Sequence, residues 1–193
     1  MASIDRESLL TLEAYAKARP EFRARVIAHK KRRTVHLGDH VTLLFEDELT
    51  MRYQVQEMLR IERIFEPEGI DDELAAYNPL VPDGSNLKAT MLIEYDDPGA
   101  RAAALARLKG IAVDAFVAVD GFEPVRAIAD EDLERENADK TSSVHFLRFE
   151  LAPAMIAALK SGAPLAVGVD HPDYRARVTL DTATREALVA DLA

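Results

Sequence analysis

Apolar positions recur along the first third of the chain at helical spacing and then at alternate residues. Ser3 or Asp5 can cap a run carrying Leu9, Leu10, Leu12 and Tyr15, and Pro20 then opens a second helix with Phe22, Val26 and Ile27. Lys30-Lys31-Arg32-Arg33 closes that helix, where positive charge suits the C-terminal end, and such a run ordinarily faces water. Alternation then predicts strands over residues 34–37 and 41–46, joined by a two-residue Gly38-Asp39 turn. A long helix follows over about residues 47–65, stopped by Pro67 and Gly69, and a shorter one over about 71–77. The Pro-, Asp- and Gly-rich loop 78–85 reads as an internal boundary.

Beyond that loop the pattern repeats in outline. KATMLIEY, DPGARAAALARLKG, VDAFVAVDGF and EPVRAIAD read as strand, helix, strand, strand, and so do VHFLRFEL, APAMIAALKSG, PLAVGVDHPDY and RARVTLD. Glu94 aligns with Glu150, Gly110 with Gly162, Asp120 with Asp170, and Phe122 with Tyr174. The apolar side of each such unit needs cover, and a second unit can supply it. The expected class is α+β: a mixed, largely antiparallel sheet from a degenerate βαββ repeat, with an N-terminal helical segment and the long central helix packed on it. Residues 1–85 and 86–193 are its two parts, within one compact domain. Between the units, residues 129–140 hold Asp130, Glu131, Asp132, Glu134, Glu136 and Asp139, read as a solvated linker or an acidic docking segment.

Composition sharpens this picture. With 193 residues, 48% hydrophobic, the chain can bury a sizeable core. Its net charge of −10 argues against nucleic acid or an anionic membrane as a default partner, and no basic surface interleaved with aromatics offsets that. The charge is unevenly spread, because residues 1–33 hold nine Lys and Arg against four Asp and Glu. A basic arm is therefore available to dock on the acidic body or on an acidic partner. There is no cysteine, hence no thiol nucleophile, disulfide or cysteine-ligated cluster within this chain. Without an apolar leader near the start or a run of roughly 20 apolar residues, a cytoplasmic setting is expected.

Candidate chemistry concentrates in residues 34–65. Projecting the long helix at about 100° per residue puts Met51, Val55, Met58, Ile61, Ile64 and Phe65 on one broad arc with Thr50, Gln54 and Glu57, while Arg52, Gln56 and Arg63 lie opposite. A carboxyl buried there has its ionised form disfavoured unless arginine, a metal or hydrogen-bond donors compensate. Glu57, with Gln54 and Arg60, is thus either a general acid/base centre or part of a core network. His36 and His40 are spaced like metal ligands, although a two-residue turn would set the two imidazoles on opposite faces. A divalent metal ion on His40, His36 and Glu57 is the corresponding expectation. His145 reads as a core-edge histidine, and Asp170 and His171 as exposed turn residues. Phosphate-loop, dinucleotide, HExxH, nucleophile-elbow and helical Glu-x-x-His di-iron motifs are absent.

The runs RRTVHLGDHVTLLFEDELTMRYQVQEMLRIERIFEP, ELAAYNPLVPDGSNLKATMLIEYDDP and VDHPDYRARVTL resemble the bacterial DUF3501 family, whose function is uncharacterised, from about Phe22 onward. The segment from Leu43 to Arg60 carries the most specific part. The family pattern carries over to His40, Glu46, Gln54, Glu57 and Arg60, and to Tyr77-Asn78, Glu94-Tyr95 and Asp170-His171-Pro172. The resemblance implies a place in a redox or iron-linked system, beside rubrerythrin-like and iron-sulfur-binding proteins, and not a reaction. The lack of cysteine and of recognised catalytic motifs then favours a non-enzymatic accessory protein that binds a redox partner. A small metal-dependent or general acid/base enzyme centred on Glu57 and His40, or a module binding a small anion through Arg60 and the basic arm, are the other expectations.

Overall fold

The structure is a computed structural model that describes residues 3–193, so the first two residues of the N-terminal part lie outside it. Its class is α+β, and every strand pairing in it is antiparallel. The helices are α1 (Leu12–Lys30), α2 (Glu48–Glu62), α3 (Pro67–Tyr77), α4 (Pro98–Arg107), α5 (Pro153–Lys160) and α6 (Thr182–Val189). The strands are β1 (Thr34–Leu37), β2 (Val41–Glu46), β3 (Asn86–Ile93), β4 (Ala115–Val119), β5 (Val125–Arg126), β6 (Ile128–Ala129), β7 (Val144–Glu150), β8 (Leu165–His171) and β9 (Tyr174–Thr179). They form two sheets rather than one, ordered β1-β2-β3-β7-β6 and β5-β4-β8-β9.

Alternation explains the core. Val35, Leu37, Leu43, Phe45, Leu87, Met91, Leu147 and Phe149 point inward from the larger sheet and meet Val117, Val119, Leu165, Val167 and Val169 of the smaller one. Leu105 and Leu108 at the end of α4, Met155 and Leu159 of α5 and Leu188 of α6 pack into the same core. Direct pairing of β2 with β3 joins residues before and after the 78–85 loop in one sheet. The two strand-helix-strand-strand runs have the expected element order, but they end differently. The last strand of the first run splits at buried Ala127, so that β5 stays with β4 while β6 crosses to β7. By contrast, β9 stays with β8 throughout.

On the opposite edge, the Tyr174 hydroxyl donates to the Leu37 carbonyl at 2.5 Å and accepts from the His40 amide at 3.1 Å, stitching β1 to β9. Gly38 permits this approach: its φ is +69°, and a Cβ there would lie 2.8 Å from the Tyr174 oxygen.

Several local expectations change. The N-terminal segment forms one long helix, capped by Thr11, with Pro20 inside it. Proline removes the bond to the Ala16 carbonyl, but Ala16 and Pro20 are both exposed, so water can take the vacant acceptor. The register Leu37↔Val41 makes the β1–β2 connection three residues long, including His40, and pairs His36 with Thr42. Pro67 opens α3 at its first position instead of merely ending α2, as Pro98 and Pro153 open α4 and α5. The acidic stretch after Ala129 is a tied strap: Asp130 binds His145 and lies 3.7 Å from Arg135, Arg135 also pairs with Asp132, Arg148 pairs with Glu131, and Glu136 accepts the Gly110 amide.

Candidate functional site

The Asp47 side chain accepts the Thr50 amide and the Thr50 hydroxyl accepts the Asp47 amide, a capping box that sets the start and rotation of α2. That rotation turns Glu57 toward α1. Its carboxylate receives the Arg19 guanidinium through both oxygens (2.7 and 2.8 Å), the Tyr15 hydroxyl at 2.7 Å and Arg60 at 3.2 and 3.3 Å. Tyr15 is fully buried and stacks edge-on against Phe22, which in turn meets Tyr53, so the network is seated between α1 and α2.

The arginine case for Glu57 is therefore the one realised. Bonding to Arg19, aided by Arg60 and Tyr15, outweighs burial and holds Glu57 down at about 2. Burial first, and then the Glu57 carboxylate, push the Tyr15 phenol well above its usual range. Glu57 is a permanently ionised anchor at neutral pH, with both oxygens occupied.

Gln54 is only half-buried, and the glutamine turned inward is Gln56. Its side chain is 1% exposed, accepts the Leu10 amide at 2.7 Å and donates to the Leu10 carbonyl at 3.2 Å. The helical projection put Gln56 on the outer arc because it allowed α2 a single covered side. The segment before α1 covers the other, anchored at Ile4 by two bonds to the Asn78 amide group. At the far end of α2 the reverse holds: Ile61 and Phe65 are 61% and 69% exposed.

The histidines lie elsewhere. His40 stacks on Tyr95 at 3.8 Å between ring centroids, and its Nδ1 donates to the Glu94 carbonyl at 2.9 Å. His36 Nδ1 lies 3.1 Å from the Thr42 hydroxyl, which donates to Glu94. The bonding partners of Glu57 are Tyr15, Arg19 and Arg60, so His36, His40 and Glu57 are not drawn into one ligand set. Among the described residues no group of three or more His, Asp or Glu is arranged to hold a metal ion. His171, expected at the surface, is buried: its Nε2 donates to the Lys109 carbonyl and its Nδ1 accepts the Asp173 amide. His145 is buried at the sheet edge, with Nδ1 2.6 Å from Asp130.

A second polar centre was not anticipated. Arg33, 1% exposed, donates to the carbonyls of Phe45 (3.0 Å), Glu46 (3.2 Å) and Ala187 (3.0 Å) and to the Asp191 carboxylate, and it lies 3.4 Å from Asp47. His29 Nε2 meets the same Asp47 oxygen at 2.5 Å. The signal was present in the strand pattern: stepping back by two from Leu37 and Val35 lands on Arg33, the inward parity. Beside it, Glu46 accepts from Thr90 at 2.7 Å while its other oxygen is buried without a partner, and burial pushes its carboxyl up.

Two carboxyls of these centres titrate in opposite senses. Glu57 lies at about 2 against an ordinary 4.5, so its stabilising contribution is in place above pH 4.5 and is lost as pH falls toward 2. Burial, only partly offset by Arg33, raises Asp191 from 3.8 to about 6, so its contribution is full below pH 3.8 and is lost as pH rises through 6. Asp191→Asn removes that dependence. Urea unfolding at pH 4 and pH 7 is expected to show the variant gaining roughly 2 kcal/mol on the parent over this interval. A difference that does not move with pH would contradict the assignment.

Outward from these centres, the exposed circumference of α1 is rich in cations. Its ion pairs use Lys17, Arg19 and His29. Arg23 and Arg25, with Lys31 and Arg32 just beyond the helix, are exposed and form no ion pair among the described residues. Leu10 and Ile27 are 42% and 43% exposed on this layer. Between α1, α2 and the preceding segment lies an open cleft of about 570 Å³, lined by Leu10, Ala18 and Phe22 together with Glu21, Arg25 and Arg52.

Comparison with known proteins places this geometry among relatives. The family model described as "Protein of unknown function (DUF3501)" matches residues 3–192. A crystal structure from Burkholderia pseudomallei, described as a novel protein of unknown function, is similar at 60% identity and a TM-score of 0.95, covering 100% of both chains. No curated protein matches the chain. No helix among the described residues is long and apolar enough to cross a membrane.

Proposed function

We propose that this chain, which belongs to the DUF3501 family of proteins of unknown function, is an accessory protein that docks an acidic partner on the outward face of α1. The observation that carries this reading is the run of exposed cations without ion pairs among the described residues, along α1 and just past it, on an otherwise acidic protein. Arg25 lines an apolar cleft, Arg23 lies on the other flank of the helix, and Lys31 and Arg32 follow its end. Interfaces favour such a combination of arginine, aromatic and aliphatic groups with a charged rim. The acidic strap is the weaker docking candidate, since Asp130, Glu131 and Asp132 already have cationic partners within the fold. An acid/base enzyme centred on Glu57 gains no support from a carboxylate whose two oxygens are both occupied.

The partner proposed is a rubrerythrin-like or iron-sulfur-binding protein of a redox system, in a cytoplasmic setting. Each candidate is to be titrated against the purified protein by calorimetry at low and high salt. The expected result is saturable binding that weakens with salt and becomes roughly tenfold or more weaker in an Arg23→Glu/Arg25→Glu/Arg32→Glu variant that folds like the parent. Undiminished binding by that variant, or no binding to any candidate, would overturn the reading.

A further inference from the structure

The outward face of the β5-β4-β8-β9 sheet carries a second basic feature, on other elements and of different geometry. Strand register sets one row across all four strands: Arg126 beside Phe116, Phe116 beside Gly168, and Gly168 beside Arg177. The guanidinium carbons of Arg126 and Arg177 lie 5.8 and 5.9 Å from the Phe116 ring centroid. Gly168 makes the row possible, since a Cβ there would fall 2.4 Å from the Phe116 ring, so its absence lets the ring lie down on the sheet. Two residue pairs along, and so on the same side of the sheet, Arg175 faces Asp170.

These side chains line a cavity of about 480 Å³, with Arg126, Arg175 and Arg177 against the single carboxylate of Asp170. Asp170 is shared, lying 3.1 Å from Arg175 and 3.6 Å from Arg126. Arg126 also donates to the Asp114 carbonyl at 2.8 Å, with the Asp114 carboxylate 3.8 Å away. The Arg177 side chain has no ion pair and no hydrogen bond among the described residues, and the residue's polar contacts are confined to the backbone ladder. The cavity therefore holds a local cationic surplus in a chain whose net charge is −10. A neighbouring cleft on the far side of Arg177 contains Asp120 and Glu123, which would direct an anion into the first cavity and away from the second. Arginine forks match phosphate and carboxylate oxygens two at a time, and the cavity is of the size that holds small ligands.

We propose that this cavity binds a small, multiply charged oxyanion, phosphate- or carboxylate-based, with Arg177 as its principal contact and Arg126 and Arg175 as flanking donors. The site is independent of the docking face on α1. It also moves anion recognition away from Arg60, whose guanidinium is engaged by Glu57.

Calorimetry with sodium pyrophosphate, citrate and acetate, at matched ionic strength, tests it. Saturable binding of pyrophosphate or of citrate is expected, with acetate failing to saturate, and whichever anion saturates identifies the source chemistry. Arg177→Gln is expected to weaken that binding about tenfold or more, with Arg177→Lys intermediate because it keeps the charge without the fork. The Arg23→Glu/Arg25→Glu/Arg32→Glu variant should bind as the parent does, which separates this site from the docking face. Failure of both polyanions to saturate, or equal binding by Arg177→Gln with its circular dichroism unchanged, would overturn the proposal.

Discussion

Replacing Arg33 with methionine is expected to destabilise the protein by about 3–5 kcal/mol at pH 7, the cost of leaving buried charges without their partner. The side chain is 1% exposed and serves acceptors from three separated parts of the chain: Phe45, Glu46 and Asp47 at the end of β2, Ala187 in α6, and Asp191 after it. Methionine roughly fills the space but donates nothing, so three carbonyls and two carboxylates lose a donor together. The loss should shrink at pH 5, because Asp191, already raised to about 6, can then take up a proton and cease to need a cation. Arg33→Lys keeps the charge but not the planar fork, and should fall between. Chemical denaturation at the two pH values checks all three statements, and an Arg33→Met variant as stable as the parent would remove this residue from the account of the fold.

Gly168→Val is the second large effect, expected at about 3 kcal/mol, the upper end of what overpacking usually costs. The first carbon of the new side chain meets the Phe116 ring at 2.4 and 2.8 Å and the Ala176 carbonyl oxygen at 2.6 Å. The ring could swing away, but the carbonyl belongs to the β8–β9 ladder and cannot. Adding Phe116→Ala to Gly168→Val should therefore recover only part of the loss. Melting temperatures of the single and double variants report the split, and full recovery in the double variant would show the backbone contact to be harmless.

How far these features could be read beforehand depended on the kind of regularity behind them. β1 and β2 lie over the residues that alternation and Gly38 indicate, because one buried face and one turn residue dictate both. The start of α2 was equally legible, since Asp47 and Thr50 cap it using their own side chains. What a single helical projection could not show is that α2 is covered twice, by α1 and by the segment before it. That is why Gln56 is inside and Gln54 only half so, and why Phe65 is in water. The same projection marks Glu57 as a polar group needing partners. Arg60 lies one turn along the same helix, but Tyr15 and Arg19 lie 42 and 38 positions away on a helix that Pro20, read alone, divides in two. Arg33 was hidden by its company: three basic neighbours suggested a solvated helix end, while the strand parity that buries it begins only one residue later.

The Tyr174 stitch carries a kinetic consequence. Its hydroxyl joins Leu37 to a residue 137 positions further on, so the chain must close a very long loop before this contact can form. The hairpin of β1 and β2 and the β8–β9 pair are local and can assemble early, whereas the seam between them must wait for both sheets to be in place. The corner occupied by Gly38, His40 and Tyr95 is thus expected to be the last part of the sandwich to close, whereas at the opposite edge the chain itself runs through Ala127 from β5 of one sheet to β6 of the other and needs no such long-range closure.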